Sequence, residues 1–113
     1  MKQERQIIFY RNYFIEFYIN QKEPVKKKID YIFSVIKKTE KVPEKFLKHI
    51  EGTKGLYEVR VEQSGDIFRI FCCFDKNNLV ILFNAFQKKT PKTPKRVIEL
   101  ALKLMGAYFS AKV

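Results

Sequence analysis

Two arginines in the middle of the chain have the spacing of partners across a predicted β-hairpin. Residues 56–62 and 66–74 are rich in aromatic and β-branched side chains, which is typical of strands. A two-residue loop at 64–65 would fix every cross-strand pair. In that register Arg60 lies directly opposite Arg69. Because like charges opposite each other destabilise a sheet, we expect an anion between them or a carboxylate close by.

A third predicted strand, residues 79–86, extends this arrangement. If the loop around Asn77 has even length, Asn84, Phe86 and Lys88 share the side of the two arginines. An odd-length loop in either hairpin would break this parity. The other side is then the core side, with Phe68, Ile70, Cys72, Ile81, Phe83 and Ala85. One face would therefore carry guanidinium, ammonium, amide and aromatic groups, which suit phosphate and base.

The whole chain carries an excess of positive charge. Its 113 residues have a formal net charge of +11 and are 46% hydrophobic, with eleven Phe and six Tyr. This composition predicts one folded domain with a polyanionic partner: nucleic acid, a membrane surface or an acidic protein. No apolar run approaches the roughly 20 residues of a membrane span, and the polar N-terminus does not resemble a signal peptide. We therefore expect a cytoplasmic protein that does not bind membrane.

The residue types needed for metal or nucleophilic chemistry are scarce. Cys72 and Cys73 are the only cysteines, and neighbours on a strand point to opposite faces. His49 is the only histidine, and no ligand cluster surrounds it in the sequence. We expect no metal ion, no cofactor and no Ser–His or Cys–His pair.

The segments around the hairpins predict an α+β domain. Residues 6–10 are a candidate strand, whereas 13–18 fit a strand or a helical turn. Pro24 begins a helix, and Pro43 begins a second short one at 44–50. The terminal helix follows Thr93 as N-cap. The predicted order is strand, two helices, three antiparallel strands and terminal helix.

The central and C-terminal parts of the chain contain a set of motifs: Gly55-Leu-Tyr-Glu-Val-Arg60, Phe68-Arg-Ile-Phe71, Asn84-Ala-Phe-Gln-Lys-Lys-Thr-Pro91 and a helix that begins Thr93-Pro94. In these motifs the chain resembles the HigB-type toxins, a phage- and plasmid-associated branch of the RelE/ParE superfamily. The resemblance runs from about Tyr10 to the C-terminus.

This resemblance implies a RelE-like fold and a basic toxin that a helix-turn-helix antitoxin holds inactive. Most such toxins cut mRNA on the translating ribosome without metal, by attack of a 2′-OH on its own 3′-phosphate. Carried over to this sequence, the catalytic residues are Arg60, Arg69, Lys88 and Lys89. The candidates for RNA binding are Lys54, Phe86, Lys92 and Lys95.

Several assignments stay open from sequence alone. Lys88 and Glu58 are rival proton-transfer groups, although Glu58 also fits a counter-ion for Arg60. Tyr108 is the only late tyrosine. A gyrase-inhibiting toxin of the ParE type and a non-catalytic RNA-binding module remain alternatives to the nuclease. If nothing neutralises the arginine pair, Arg69→Gln should keep stability and lose activity, whereas a buried pair with Glu58 predicts a large loss of stability.

Overall fold

Five strands form one mixed sheet with helices on both faces. The computed structural model describes residues 4–76 and 78–112. Across the sheet the strand order is β1-β5-β4-β3-β2, with β1 parallel to β5 and the other pairs antiparallel. This arrangement confirms the predicted α+β class. In chain order the elements are β1 (Gln6–Phe9), α1 (Tyr13–Ile19), α2 (Glu23–Lys38), β2 (Leu47–His49), β3 (Tyr57–Gln63), β4 (Asp66–Asp75), β5 (Leu79–Lys88) and α3 (Lys95–Ala111).

The turn between β3 and β4 fixes the predicted register. Ser64 and Gly65 both have positive φ, 55° and 84°. These values match a two-residue turn whose twist fits the flanking strands. Arg60 accordingly pairs with Arg69, as predicted, and every other predicted pair of this hairpin is also found.

The second hairpin contains a β-bulge that the sequence analysis missed. Ile70 pairs with Ala85, but Cys72 pairs with Leu82, so β5 has one extra residue in this interval. The bulge reverses the side-chain parity of the first half of β5. The prediction that Ile81 and Phe83 share the face of Cys72 is therefore wrong. Asn77, at the centre of the predicted turn, lies outside the described residues.

Each face of the sheet has its own core, because strands β4 and β5 are apolar on both sides. On one face the helices α1 and α2 cover a cluster that includes Phe14, Ile29, Ile32, Phe68, Ile70, Cys72 and Leu82. On the other face α3 covers a cluster that includes Leu56, Phe71, Cys73, Ile81, Phe83, Ala101 and Leu104. The sheet is thus a shared middle layer.

Two of the predicted helix features are corrected. Residues 47–49 form β2 and not part of a second helix, because the edge of β3 offers hydrogen bonds: Lys48 pairs with Glu58, and the Arg60 N–H donates to the Phe46 carbonyl at 2.8 Å. Helix α3 is capped by Pro94 without a side-chain hydrogen bond, so Thr93 is not its N-cap. The ambiguous residues 13–18 are helical and belong to α1.

Polar contacts tie α3 to the sheet at two points. Near its start, the Asn84 Nδ2 donates to the Val97 carbonyl at 3.0 Å. Near its end, the Tyr108 hydroxyl donates to Asp75 Oδ2 at 2.6 Å, and Lys112 forms an ion pair with the same oxygen. The hydrogen bonds from Lys112 and Tyr108 lower the pKa of Asp75. The Asp75 carboxylate in turn raises the pKa of Tyr108 to about 12.

We predict that Asp75→Asn lowers the stability of the domain in a pH-dependent way. Because folding lowers the pKa of Asp75, its contribution is complete above the unfolded pKa of about 4 and is lost as pH falls through the folded pKa. Urea melts should therefore separate the parent from the variant at pH 7 and bring them together in strong acid.

The exposed Asp66 provides the matched control, since Asp66→Asn makes the same chemical change at the far end of β4. This control should melt like the parent at both pH values. If the difference for Asp75→Asn persisted in strong acid, its cause would not be the carboxylate charge.

Candidate active site

The open half of the face under α3 carries the predicted chemical groups. Arg60, Arg69 and Phe86 form one row across β3, β4 and β5, and Lys88 pairs with Ile67 in the next row. Helix α3 covers the other half of this face, while Arg60 and Lys88 stay partly exposed. We call this surface the arginine face; it consists of Glu58, Arg60, Arg69, Phe86 and Lys88.

The carboxylate of Glu58 neutralises the opposed arginines. Its Oε2 lies 3.3 Å from Arg60 Nε and 3.4 Å from Arg69 Nε. The expected neighbour of the pair is therefore a carboxylate of the protein itself. Since Glu58 contacts both guanidinium groups, its position supports the counter-ion role over that of a general base. Glu62, two residues along β3, adds a second negative charge that acts on Arg69 from further away. Since Lys88 adds a third positive charge in the row of Glu62, this surface keeps one net positive charge.

Arg69 is the buried member of the pair. Only 4% of the residue is exposed, and its Nη1 donates to the Phe68 carbonyl at 3.1 Å. Its Nε is close to Glu58 but lacks hydrogen-bond geometry, so this buried N–H has no hydrogen-bond partner among the described residues. Burial lowers the pKa of the Arg69 guanidinium, and the nearby Glu58 opposes that change. Arg69 therefore depends on Glu58 more than Arg60 does.

Arg60 is the accessible member of the pair. Its side chain is 31% exposed. Apart from Glu58, no polar side-chain partner of Arg60 is found within residues 4–76 and 78–112. Its terminal N–H groups are thus able to bind an incoming anion.

The remaining predicted residues differ in how close they lie to the two arginines. Phe86 stacks on Phe71, with ring centroids 5.9 Å apart and planes at 15°, and is only partly buried. Lys89 and Lys92 are exposed on the segment between β5 and α3, and Lys95 is exposed as the first residue of α3. By contrast, Lys54 lies in the β2–β3 loop, at the end of β3 away from Gly65. The structure therefore brings Arg60, Arg69, Phe86 and Lys88 together and places Lys54 apart.

The structure adds one basic residue and removes one tyrosine from this neighbourhood. Lys48 pairs directly with Glu58 and so lies at the border of the arginine face. Sequence reasoning missed it because residues 44–50 were assigned to a helix. Tyr108 binds Asp75, which is about 20 Å along β4 from Arg69 at the usual strand rise. Tyr108 is therefore remote from the arginine face.

Three other kinds of site are relevant to the described residues: a reactive cysteine, a metal site and a membrane-spanning helix. Burial raises the pKa of the Cys73 thiol to about 12 and that of Cys72 further, so both stay protonated at neutral pH. Within the described part of the chain, no three His, Cys, Asp or Glu side chains are grouped as metal ligands. None of the described helices is long and apolar enough to cross a membrane.

Comparison with known protein families gives a match over most of the chain. Residues 17–106, well over half of the chain, match the family described as phage-derived protein Gp49-like (DUF891). No curated protein matches the sequence. The Gp49-like proteins are a toxin–antitoxin-associated family related to the RelE- and HigB-type toxins, and membership implies an antitoxin partner. The chain belongs to the Gp49-like family of phage-derived toxins.

Proposed function

We propose that this toxin is an endoribonuclease that cuts mRNA on the ribosome through its arginine face. The observation that supports this proposal best is the grouping of Arg60, Arg69, Phe86 and Lys88 on one half-open sheet surface. The residues that stand together are those expected to handle a phosphate and a base.

The reaction is an in-line transfer at phosphorus. The 2′-oxygen of one nucleotide bonds to the adjacent phosphorus, and the bond to the 5′-oxygen breaks. The products are a 2′,3′-cyclic phosphate and a 5′-hydroxyl, so one proton leaves the 2′-OH and one joins the leaving oxygen. Charge increases on the non-bridging oxygens during this step, and fixed N–H donors stabilise it.

The two arginines have different parts in this reaction. The exposed end of Arg60 binds the non-bridging oxygens directly. Arg69 lies buried beside it and adds positive charge, while Glu58 keeps the two guanidinium groups next to each other. Because Arg60, Arg69 and Lys88 outnumber the carboxylates of Glu58 and Glu62, the site keeps its attraction for phosphate.

The other residues of the arginine face complete the site. Lys88, one row beyond Arg69, is the candidate for proton transfer. The free side of Phe86 stacks a base, since its other side is taken by Phe71. Lys89, Lys92 and Lys95 extend the positive charge along the RNA backbone. Because the site has so few catalytic residues, we expect the reaction to benefit from a substrate that the ribosome holds in position.

We predict that Gln in place of either arginine lowers activity, but that only the change at Arg69 clearly lowers stability. Arg60→Gln should lower cleavage by about 100-fold or more, because it removes the accessible phosphate ligand. The stability of this variant should change by less than about 1 kcal/mol, since the side chain is partly exposed. Arg69→Gln should lose activity and about 1–3 kcal/mol of stability, because it breaks a buried ion pair.

Urea melts and a cleavage assay on translating ribosomes measure both effects. Lys103→Gln, an exposed position on α3 outside the arginine face, is the control and should match the parent in both assays. If Arg60→Gln kept full cleavage, the arginine face would not be the active site.

We also predict that cleavage requires the 2′-OH and does not require added metal. After the cut is mapped on a translated mRNA, a transcript with a single 2′-deoxy nucleotide at that site should resist cleavage. The products of the unmodified mRNA should carry 2′,3′-cyclic phosphate and 5′-hydroxyl ends. Chelator added to preformed complexes, with ribosome integrity checked by sedimentation, should not reduce the rate.

A 2′-deoxy nucleotide placed two positions away is the control and should not protect the mRNA. Cleavage that continues through the 2′-deoxy site would disprove 2′-OH attack. DNA damage in expressing cells without any mapped RNA cut would instead point to a gyrase poison.

A further inference from the structure

A second surface, on the opposite edge of the molecule from β2, has no role in the proposed reaction. Edge strand β1 pairs only with β5 among the described strands. The Gln6 N–H donates to the carbonyl of Asn78, just before β5, and the Tyr10 N–H donates to that of Leu82 in β5. By alternation the N–H groups of Ile7 and Phe9 point away from the sheet. An edge with unpaired backbone groups and no Pro or Lys in the strand is able to pair with another chain.

Beside this edge runs a trough between β1, α1 and α2. One end is an apolar depression of about 400 Å³ whose lining includes Phe9, Phe14, Ile15 and Phe33. Its floor is formed by the buried ring of Phe14, which lies 5.4 Å from the ring of Phe9 and 5.4 Å from that of Phe33. Phe9 and Ile15 remain 46% and 39% exposed. This end therefore has apolar walls that the chain itself leaves uncovered.

The other end of the trough carries charges of both signs, and its two lysines and two carboxylates give a formal charge of zero. A second depression of about 440 Å³ shares Phe33 with the first and reaches Lys37 and Lys38 at the C-terminus of α2. The acidic groups in the trough are Glu4 and Asp30, and Asp30 already accepts a hydrogen bond from the Tyr18 hydroxyl at 2.9 Å. Because the charges within the trough balance, the reason to expect an acidic occupant beside Lys37 and Lys38 is the formal charge of +11 on the whole chain.

We propose that the trough, independently of any cleavage by the arginine face, binds an extended acidic segment of the antitoxin. The segment adds as a sixth strand beside β1, with apolar side chains above Phe14 and carboxylates next to Lys37 and Lys38. Backbone hydrogen bonds to the outer edge of β1 supply affinity, and the trough selects every second side chain. A second copy of this chain fits less well, because both molecules carry a formal charge of +11.

Two isoleucines of the same helix give a matched test. Ile15 lines the trough, whereas Ile19 is 62% exposed on α1 and does not. The probe is the protein encoded by the adjacent reading frame, purified in complex with the parent chain. Ile15→Lys should raise the dissociation constant for this protein by about 30-fold or more, as expected for a residue at the centre of an interface. Ile19→Lys should change it by less than about threefold.

The charged end has a matched pair as well. Charge reversal of Lys37 and Lys38 to Glu should weaken binding and flatten its salt dependence. The same reversal at Lys27 and Lys28, earlier on α2 and outside the trough, should weaken binding less. Hydrogen exchange should show new protection of the Ile7 and Phe9 amides in the complex, while Ile8, already paired with β5, changes little.

The outcomes separate this surface from the arginine face. Free Ile15→Lys should fold, judged by circular dichroism, and should keep the toxicity of the parent while escaping neutralisation. Equal binding by Ile15→Lys and Ile19→Lys overturns the proposal. So does failure of the protein from the adjacent reading frame to bind the parent chain. A concentration-dependent dimer of the parent that Ile15→Lys abolishes would assign the trough to a second copy and would also overturn it.

Discussion

The turn between β3 and β4 determines which side chains share a face of the sheet. Ser64 and Gly65 adopt positive φ values, so the two strands leave the turn with one fixed register. A slip of one residue would exchange the faces of the entire hairpin and would move Arg60 away from Arg69. The arginine face, its counter-ion and the core beneath α2 all depend on this one local conformation.

Burial on both faces then limits where chemistry can take place. Helices α1 and α2 cover one face of the sheet, and α3 covers the half of the other face that contains Leu56, Cys73 and Ile81. On the second face, the part from Phe86 towards Lys88 stays open among the described residues. Asn84 sets its border, because its side chain holds the start of α3 next to β5 through the bond to the Val97 carbonyl. The bulge near this point lets β5 place apolar residues under α3 and still direct Phe86 and Lys88 to the open part. The position of α3 therefore sets the border of the proposed active site.

The sequence was informative where local patterns decide the structure. The paired strands, the register of Arg60 with Arg69 and the helix that begins near Pro24 follow from turn chemistry and periodicity. Strand β2 did not follow, since three residues form a strand only when the edge of β3 is already in place. The bulge gave no local signal either. Glu58 was identified as a neighbour of Arg60, but its contact with Arg69 depends on a side-chain direction that spacing does not fix.

The parallel pairing of β1 with β5 has a consequence for how the molecule is made. Gln6 pairs with Leu79, so the first of the described strands can join the sheet only after the last one, β5, is present. Closing a loop of that length is entropically costly and slows folding. During synthesis the N-terminal strand emerges long before its partner. The edge beside α1 is therefore the last part of the sheet to form, so a nascent chain lacks this surface until β5 has left the ribosome.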